Sequence, residues 1–261
     1  SKSDSLYANN MASYRALVDL LTRARIAGLI PMEVIADDTR SATIWDTHPN
    51  VQSFVRAELD EFLKGYWRDL LQSQENHIEI VFEKLTVASI IKPVAAKYTI
   101  PCYPSRGYSS LPPRWELAER YRKSGKNRLI LIAVSDFDPD GEEIAHSLAR
   151  SLRDDFGIKK IDAFKAALTA EQVERFKLPP KIRAKKTSSN YKRFVDKHGH
   201  DAFELEALEP DVLQRVLTET IDQVLDIDAF NSEVDEERSD AAYLAGVREY
   251  VHRQLWDMRD N

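Results

Sequence analysis

The spacing of apolar residues along this chain changes period once, near residue 76. Before that point it is helical. Tyr14, Leu17, Val18, Leu21 and Ala24 predict a helix, with Gly28 as its cap and Pro31 as a stop. Met32 to Ala36 reads as a short extended piece leading into Asp37-Asp38-Thr39-Arg40. Val51, Phe54, Val55, Leu59, Phe62, Leu63, Tyr66, Trp67, Leu70 and Leu71 form one stripe, predicting a long amphipathic helix with a core or dimer-contact face.

From His77 strands alternate with helices. Strands are predicted over 78–82, 101–103, 128–134 and 160–166, and helices over 84–97, 112–123 and 139–155. This order implies an α/β fold, a parallel sheet with helices on both faces. Residues 177–190, with Pro179-Pro180, read as a polar, basic loop or mobile segment. A short strand near 202–206 precedes a helix carrying Val212, Leu213, Val216, Leu217, Ile221, Val224 and Leu225 inward. A last helix over about 239–257 carries Leu244, Val247, Val251 and Leu255. The chain thus divides into a helical connector (1–75), an α/β domain (76–230) and a C-terminal helix (231–261).

Candidate chemistry sits at two strand ends. Ile130-Leu-Ile-Ala-Val-Ser-Asp-Phe-Asp-Pro-Asp-Gly141 runs from an apolar strand into Asp136, Asp138 and Asp140. In extended backbone Asp136 and Asp138 point the same way, and crowded carboxylates repel unless a cation lies between them. Hard oxygen ligands suit Mg2+ or Mn2+. The earlier strand, Ile78–Phe82, also ends in an acid, Glu83. Ligands of open α/β sheets bind at the carboxyl ends of the strands. Asp138 before Pro139 is also a good helix start, which explains one acid and not three. An EF-hand would need Glu where Ser147 stands and a helix before the loop. A haloacid-dehalogenase phosphatase would have Thr where Asp140 stands.

Glu83 followed by Asp136, Asp138, Asp140 and Gly141 resembles the signature of the Toprim domain of topoisomerases, primases and related nucleases. The closer resemblance is to the A subunit of topoisomerase VI and its meiotic double-strand-break relatives. It rests on Glu83-Lys84, on Asp136 to Gly141, and on Glu204-Leu205-Glu206-Ala207-Leu208, and covers roughly 76–230. The resemblance implies a Toprim (Rossmann-like) sheet and Mg2+-dependent DNA strand cleavage. Glu83, Asp136 and Asp138 would hold the metal and act in catalysis, with Asp140 supporting a second ion or its waters. It also implies a homodimer working with a GHKL-type ATPase B subunit. Glu83 is the general acid/base candidate, because burial beside other acids raises a carboxyl pKa.

Charge refines the partner. The chain has 261 residues and a net charge of −6, which by itself argues against DNA. Its distribution is uneven. Lys177, Lys181, Arg183, Lys185, Lys186, Lys192, Arg193 and Lys197 cluster against Asp196, and of these Lys181, Arg183, Lys185, Lys186, Lys192 and Arg193 are the nucleic-acid-binding candidates. Arg106, Arg114, Arg120, Arg122, Lys123, Lys126 and Arg128 form a second basic region, and Arg106 is either a phosphate-neutralising residue or a turn residue facing water. His198 and His200 have no matching ligand pair and read as surface residues. The single cysteine, Cys102, excludes an intrachain disulfide, no stretch has membrane-spanning length, and no ATP-binding Gly-rich loop is present. The first residues carry no apolar run of signal-peptide type, and the expected location is cytoplasmic, associated with the nucleoid.

The family's tyrosine nucleophile lies on a winged-helix domain ahead of Toprim. Tyr7, Tyr14 and Tyr66 lack its context; Tyr14 and Tyr66 read as core, and Tyr7 lies in a polar leader. The expectation is therefore a fragment without the tyrosine-bearing domain. Two other readings remain open. One is a Toprim nuclease hydrolysing DNA or RNA directly, as in the overcoming-lysogenization-defect type; the other is a non-catalytic, metal-stabilised DNA-binding module.

Overall fold

The computed structural model describes residues 10–35, 45–105, 111–180 and 182–257, apart from the side chains at 33 and 255–257. Asn10 opens helix α1 (Met11–Ile26), its side chain accepting from the Ser13 N–H at 2.9 Å. Arg23 and Arg25 sit in the last turn, where cations oppose the helix dipole, and Gly28 closes it at φ +73°. Met32–Val34 forms a 3-10 turn, not the expected extended piece, because the Arg25 guanidinium gathers the carbonyls of Met32 and Ile35. Ala36 lies outside the described residues. Helix α2 (Val51–Glu61) begins at Asn50, whose side chain takes the Ser53 N–H at 2.8 Å.

The predicted helix through Leu71 ends at Glu61. Leu63 adopts φ +61°, and beyond it Tyr66 and Arg68 take other partners. Tyr66 Oη donates to Asp240 at 2.6 Å, and Arg68 pairs with Glu233 and Asp240, each at 2.7 Å. The chain divides into two compact units, Ser1–Asp60 and Glu61–Asn261. Neither α1 nor α2 buries a residue, so their apolar stripes are not core. Tyr14, read as core, is 61% exposed.

The second unit holds β1 (His77–Phe82), α3 (Ala88–Lys97), β2 (Cys102–Pro104), α4 (Leu111–Ser124), β3 (Leu129–Val134), α5 (Ile144–Phe156) and β4 (Ile161–Ala167). These are followed by α6 (Ala170–Arg175), β5 (Ile182–Arg183), α7 (Tyr191–His198), β6 (Asp201–Ala202), α8 (Pro210–Asp222) and α9 (Ile227–Asp257). The four long-range strands form one parallel sheet in the order β2-β1-β3-β4, with Phe82 opposite Val134. This is a Rossmann-like α/β architecture. The segment read as a loop contains β5, which pairs antiparallel with β6. The last helix starts at Ile227 rather than near 239, because Phe230 is buried against Tyr98 ahead of the polar run.

Both faces of the central strands are covered, which is why they read as unbroken apolar runs. Ile78, Ile80 and Phe82 of β1, with Ile130, Ile132 and Val134 of β3, share a cluster with Ile91 and Val94 of α3 and Leu213 and Leu217 of α8. Leu129 and Leu131 face the other way, with Leu117 of α4 and Leu152 of α5. On that second face lies an acid mid-strand: Glu79 is fully buried. Arg120 grips both its oxygens at 2.8 Å, and His77 Nε2 approaches at 2.9 Å.

Removing one partner of such a buried pair leaves an uncompensated charge. Arg120→Ala should destabilise the protein by about 3 kcal/mol, the lower end of the usual range because the guanidinium is partly exposed. Urea unfolding checks this, and an unchanged midpoint would show that the pair contributes nothing.

Candidate functional site

The chain leaves β1 toward β2 on one side and leaves β3 toward β4 on the other, while β1 and β3 lie adjacent. Their carboxyl ends therefore form a topological switch point, where a crevice opens in sheets of this kind. Glu83 follows β1 and Asp136 follows β3. The Glu83 N–H continues the ladder to Val134 O at 2.9 Å, and Glu83 Oε2 accepts the Asp136 N–H at 3.1 Å.

The loop after β3 is tied on every side. Ser135 exchanges main-chain bonds with Ala167 and Leu168, each at 2.7 Å, and Phe137 pairs with Phe203. Asp136 is buried: Oδ1 accepts the Leu205 N–H at 2.9 Å, and Oδ2 meets Lys84 Nζ at 2.8 Å. Asp138 is equally buried, and its Oδ1 takes the N–H groups of Asp140 (3.1 Å) and Gly141 (2.7 Å). That is the turn-stabilising role an Asp before Pro predicts. The predicted helix from 139 is accordingly a 3-10 turn, Gly141–Glu143, before α5 begins at Ile144. Asp140 accepts from the Ser188 hydroxyl. A Cβ on Gly141 would stand 2.1 Å from the Asp136 carbonyl oxygen, so only glycine allows the turn this close.

Two lysines balance the acids. Lys84 reaches Asp136, Glu204 (3.4 Å) and Glu206 (3.2 Å), and Thr86 donates to Glu206 at 2.7 Å. Lys165, on β4, donates to the Asp136 carbonyl at 2.6 Å and to Glu142 at 2.8 Å. Burial pushes the Glu83 carboxyl above its usual range; the Asp136 N–H opposes this, and the charges of Asp136 and Asp138 add to it. Burial also raises Asp136, against Lys84 and the Leu205 N–H. Lys84 is raised although burial works the other way, because Asp136 and Glu206 outweigh it. Lys165 is lowered by burial despite Glu142.

The structure thus brings Glu83, Asp136 and Asp138 into electrostatic range of one another. Their donor chemistry fits Mg2+ or Mn2+ in kind. Their arrangement is different from a formed centre: among the described residues, no group of three or more His, Cys, Asp or Glu is placed to hold a metal ion. Both Asp136 oxygens already have partners, and Asp138 Oδ1 is turned into its own loop.

The basic candidates divide. Arg106 and Lys181 lie outside the described residues, as do Tyr7 and the side chain of Leu255. Lys185, Lys186 and Lys192 are exposed, and Ser188 anchors their segment to Asp140. Arg183 is exposed beside Asp201 at 3.2 Å, and Arg193 meets Glu143. Most of the second basic region has partners within the chain, although Arg122, Lys123 and Arg128 remain exposed. Arg114 binds Ser151, Arg128 binds Asp162, Arg122 binds Glu119 and the Phe156 carbonyl, and Lys126 gathers the carbonyls of Leu71, Gln72 and Gln74. His198, read as a surface residue, packs its ring 4.9 Å from Phe137.

A basic groove of about 450 Å³ escaped the sequence reading. It is lined by His146, Arg150 and Arg153 of α5 with Lys159 and Arg193, against Glu143. The i, i+4, i+7 spacing of His146, Arg150 and Arg153 was its available signal. No family model, curated protein or solved structure matches this chain. No described helix is long and apolar enough to cross a membrane.

Two outcomes test this electrostatic picture. A carboxyl raised in the folded state costs stability once ionised; the cost is absent below the unfolded pKa and grows as pH rises through the folded one. Glu83→Gln should therefore raise Tm in EDTA at pH 7, with the gap closing near pH ~4, about the unfolded value for Glu. A gap that persists at low pH would assign the effect to packing. Gly141→Ala should cost about 3 kcal/mol in urea unfolding, from the forced displacement of the Asp136 backbone; a neutral result would show that the turn yields freely.

Proposed function

We propose that this chain cleaves phosphodiester bonds in DNA with Mg2+ or Mn2+, as a Toprim-type subunit of the topoisomerase VI A kind. The observation that carries the reading is the Glu83–Asp136 hydrogen bond across the switch point, which joins the acid-bearing ends of two adjacent parallel strands. Glu83, Asp136 and Asp138 would hold the ion, with Asp140 beside them. When bound, the ion would stabilise charge on the attacking and leaving oxygens.

The protein's own groups supply the rest. Glu83 Oε2 is oriented by the Asp136 N–H, and Oε1 takes the proton of the attacking hydroxyl; a carboxyl raised by burial suits that task. Lys84 and Lys165 keep the acid loop in place. Lys185, Lys186 and Lys192, with Lys159 of the groove, offer positive charge to a DNA backbone on a molecule that is acidic overall, while Arg150 and Arg193 face Glu143 and Arg153 pairs with Asp154. By the same resemblance, the working form is a nucleoid-associated homodimer engaging a GHKL-type ATPase B subunit.

Incubation of supercoiled plasmid with Mg2+ or Mn2+, with and without a proteinase step, tests this. Metal-dependent cleavage is expected, and Asp136→Ala/Asp138→Ala should lower it at least 100-fold, a few kcal/mol of lost charge stabilisation. DNA ends released only by proteinase mean a tyrosyl link. Free ends mean hydrolysis by activated water and move the protein to the nuclease class. Metal-dependent DNA binding that the double variant loses, with no cleavage in any form, would leave a DNA-binding module and overturn the catalytic reading.

A further inference from the structure

One ammonium group at the acid edge serves three carboxylates. Lys84 Nζ stands 2.8 Å from Asp136 Oδ2, 3.2 Å from Glu206 Oε2 and 3.4 Å from Glu204 Oε1. The three differ in kind. Asp136 is buried, and its Oδ1 is held by the Leu205 N–H. The side chains of Glu204 and Glu206 are 46% and 42% exposed, and Thr86 also holds Glu206. The ammonium therefore touches two stations, a buried one on the acid loop and a solvated one on the 204–206 turn.

The other acids of the edge have weaker compensation. Among the described residues, Glu83 Oε2 and Asp138 Oδ1 receive hydrogen bonds from main-chain N–H groups alone. Lys165 bonds Glu142 and the Asp136 carbonyl oxygen, not the Asp136 carboxylate. Lys84 is thus the cation on Asp136 Oδ2, an atom that a divalent ion held by Glu83, Asp136 and Asp138 would need. Like charges at such separations repel strongly in a partly buried site, so ion and ammonium compete for that oxygen. The lysine already has Glu204 and Glu206 within reach, and leaving Asp136 does not strand it without a partner. The Leu205 N–H meanwhile keeps Asp136 oriented. We propose that Lys84 is an intramolecular stand-in for the divalent ion, and that Glu204 and Glu206 are the station to which it withdraws when the ion takes Asp136 Oδ2. This rests on the reading of the acid edge as a Mg2+ or Mn2+ site and adds how that site is regulated. Ion affinity is set by a turn distant in sequence from the acid loop.

Mn2+ titration of the full chain, with free ion followed by electron paramagnetic resonance, tests this without DNA or cleavage. Lys84→Met removes the competitor and should tighten Mn2+ binding by about tenfold or more. A lysine that only braced the loop would give the opposite sign, because its loss would loosen the acids. Lys84→Gln, which keeps a neutral donor to Asp136, should act in the same direction and serves where Lys84→Met does not fold. Glu204→Gln/Glu206→Gln removes the station from a partly exposed turn and should weaken Mn2+ binding about fivefold. In the Lys84→Met background the same pair should change it about twofold or less, since no ammonium is left to withdraw. Binding that Lys84→Met leaves unchanged or weaker overturns the proposal, and so does an equal loss from Glu204→Gln/Glu206→Gln in both backgrounds. Asp136→Ala/Asp138→Ala should abolish binding in the Lys84→Met protein; binding that survives puts the ion elsewhere and overturns it as well. Mn2+ bound by neither the parent chain nor Lys84→Met refutes the metal reading itself, and this inference with it.

Discussion

The parallel pairing of β1 with β3 is the constraint from which the rest follows. Because Phe82 lies opposite Val134, Glu83 and Ser135 emerge at the same height, with Asp136 one residue further on. The connections then diverge, to β2 from one strand and to β4 from the other, and the 203–206 segment bonds both ends. Sheet hydrogen bonding thereby delivers Glu83 and Asp136 to one crevice, with no long side chain needed to bridge them. Both strands are buried on both faces, so shifting their register would move apolar side chains and acids together.

That placement brings an electrostatic burden which two lysines carry. Asp136 and Asp138 are buried in the same turn, and Glu83 stands beside them. Lys84 enters from the residue after Glu83 and Lys165 from the neighbouring strand. Lys84 also reaches Glu204 and Glu206, and the Leu205 N–H between those two bonds Asp136. A stretch some seventy positions away is thus part of the same charge network. The acids of the 204–206 turn and the acids of the 136–140 loop share one ammonium group.

The layered fold was legible because its signal is periodic. Each strand of the parallel sheet lies within a residue or two of its predicted span, since an apolar run between turn residues has few alternatives. The largest failures come from competition by distant partners. The stripe from Val51 to Leu71 is regular, yet the helix stops at Glu61, where Arg68 and Tyr66 are claimed by α9, about 170 positions on. The same holds for charge. Arg120 and Lys126 read as part of a basic surface, but Glu79 and the carbonyls near residue 72 consume them. The acid positions Glu83 and Asp136 were legible in the sequence; the lysine that bonds the Asp136 carbonyl from β4 was not, because nothing in the β4 sequence marks Lys165 as meeting a loop some thirty residues earlier.

The partnering of the acid loop also bears on how an ion would enter. Its turn is held by the N–H groups of Asp140 and Gly141 on Asp138, by Ser135 on the Gly141 carbonyl at 2.8 Å, and by Lys165 on the Asp136 carbonyl. All of these bonds join groups of the chain itself. A divalent ion there would compete with Lys84 for Asp136 Oδ2 rather than fold the loop around itself. On the proposed reading, metal binding at this edge would be an exchange of one cation for another. Its free energy would be the difference between two compensated states, smaller than that of an ion entering a bare carboxylate cluster.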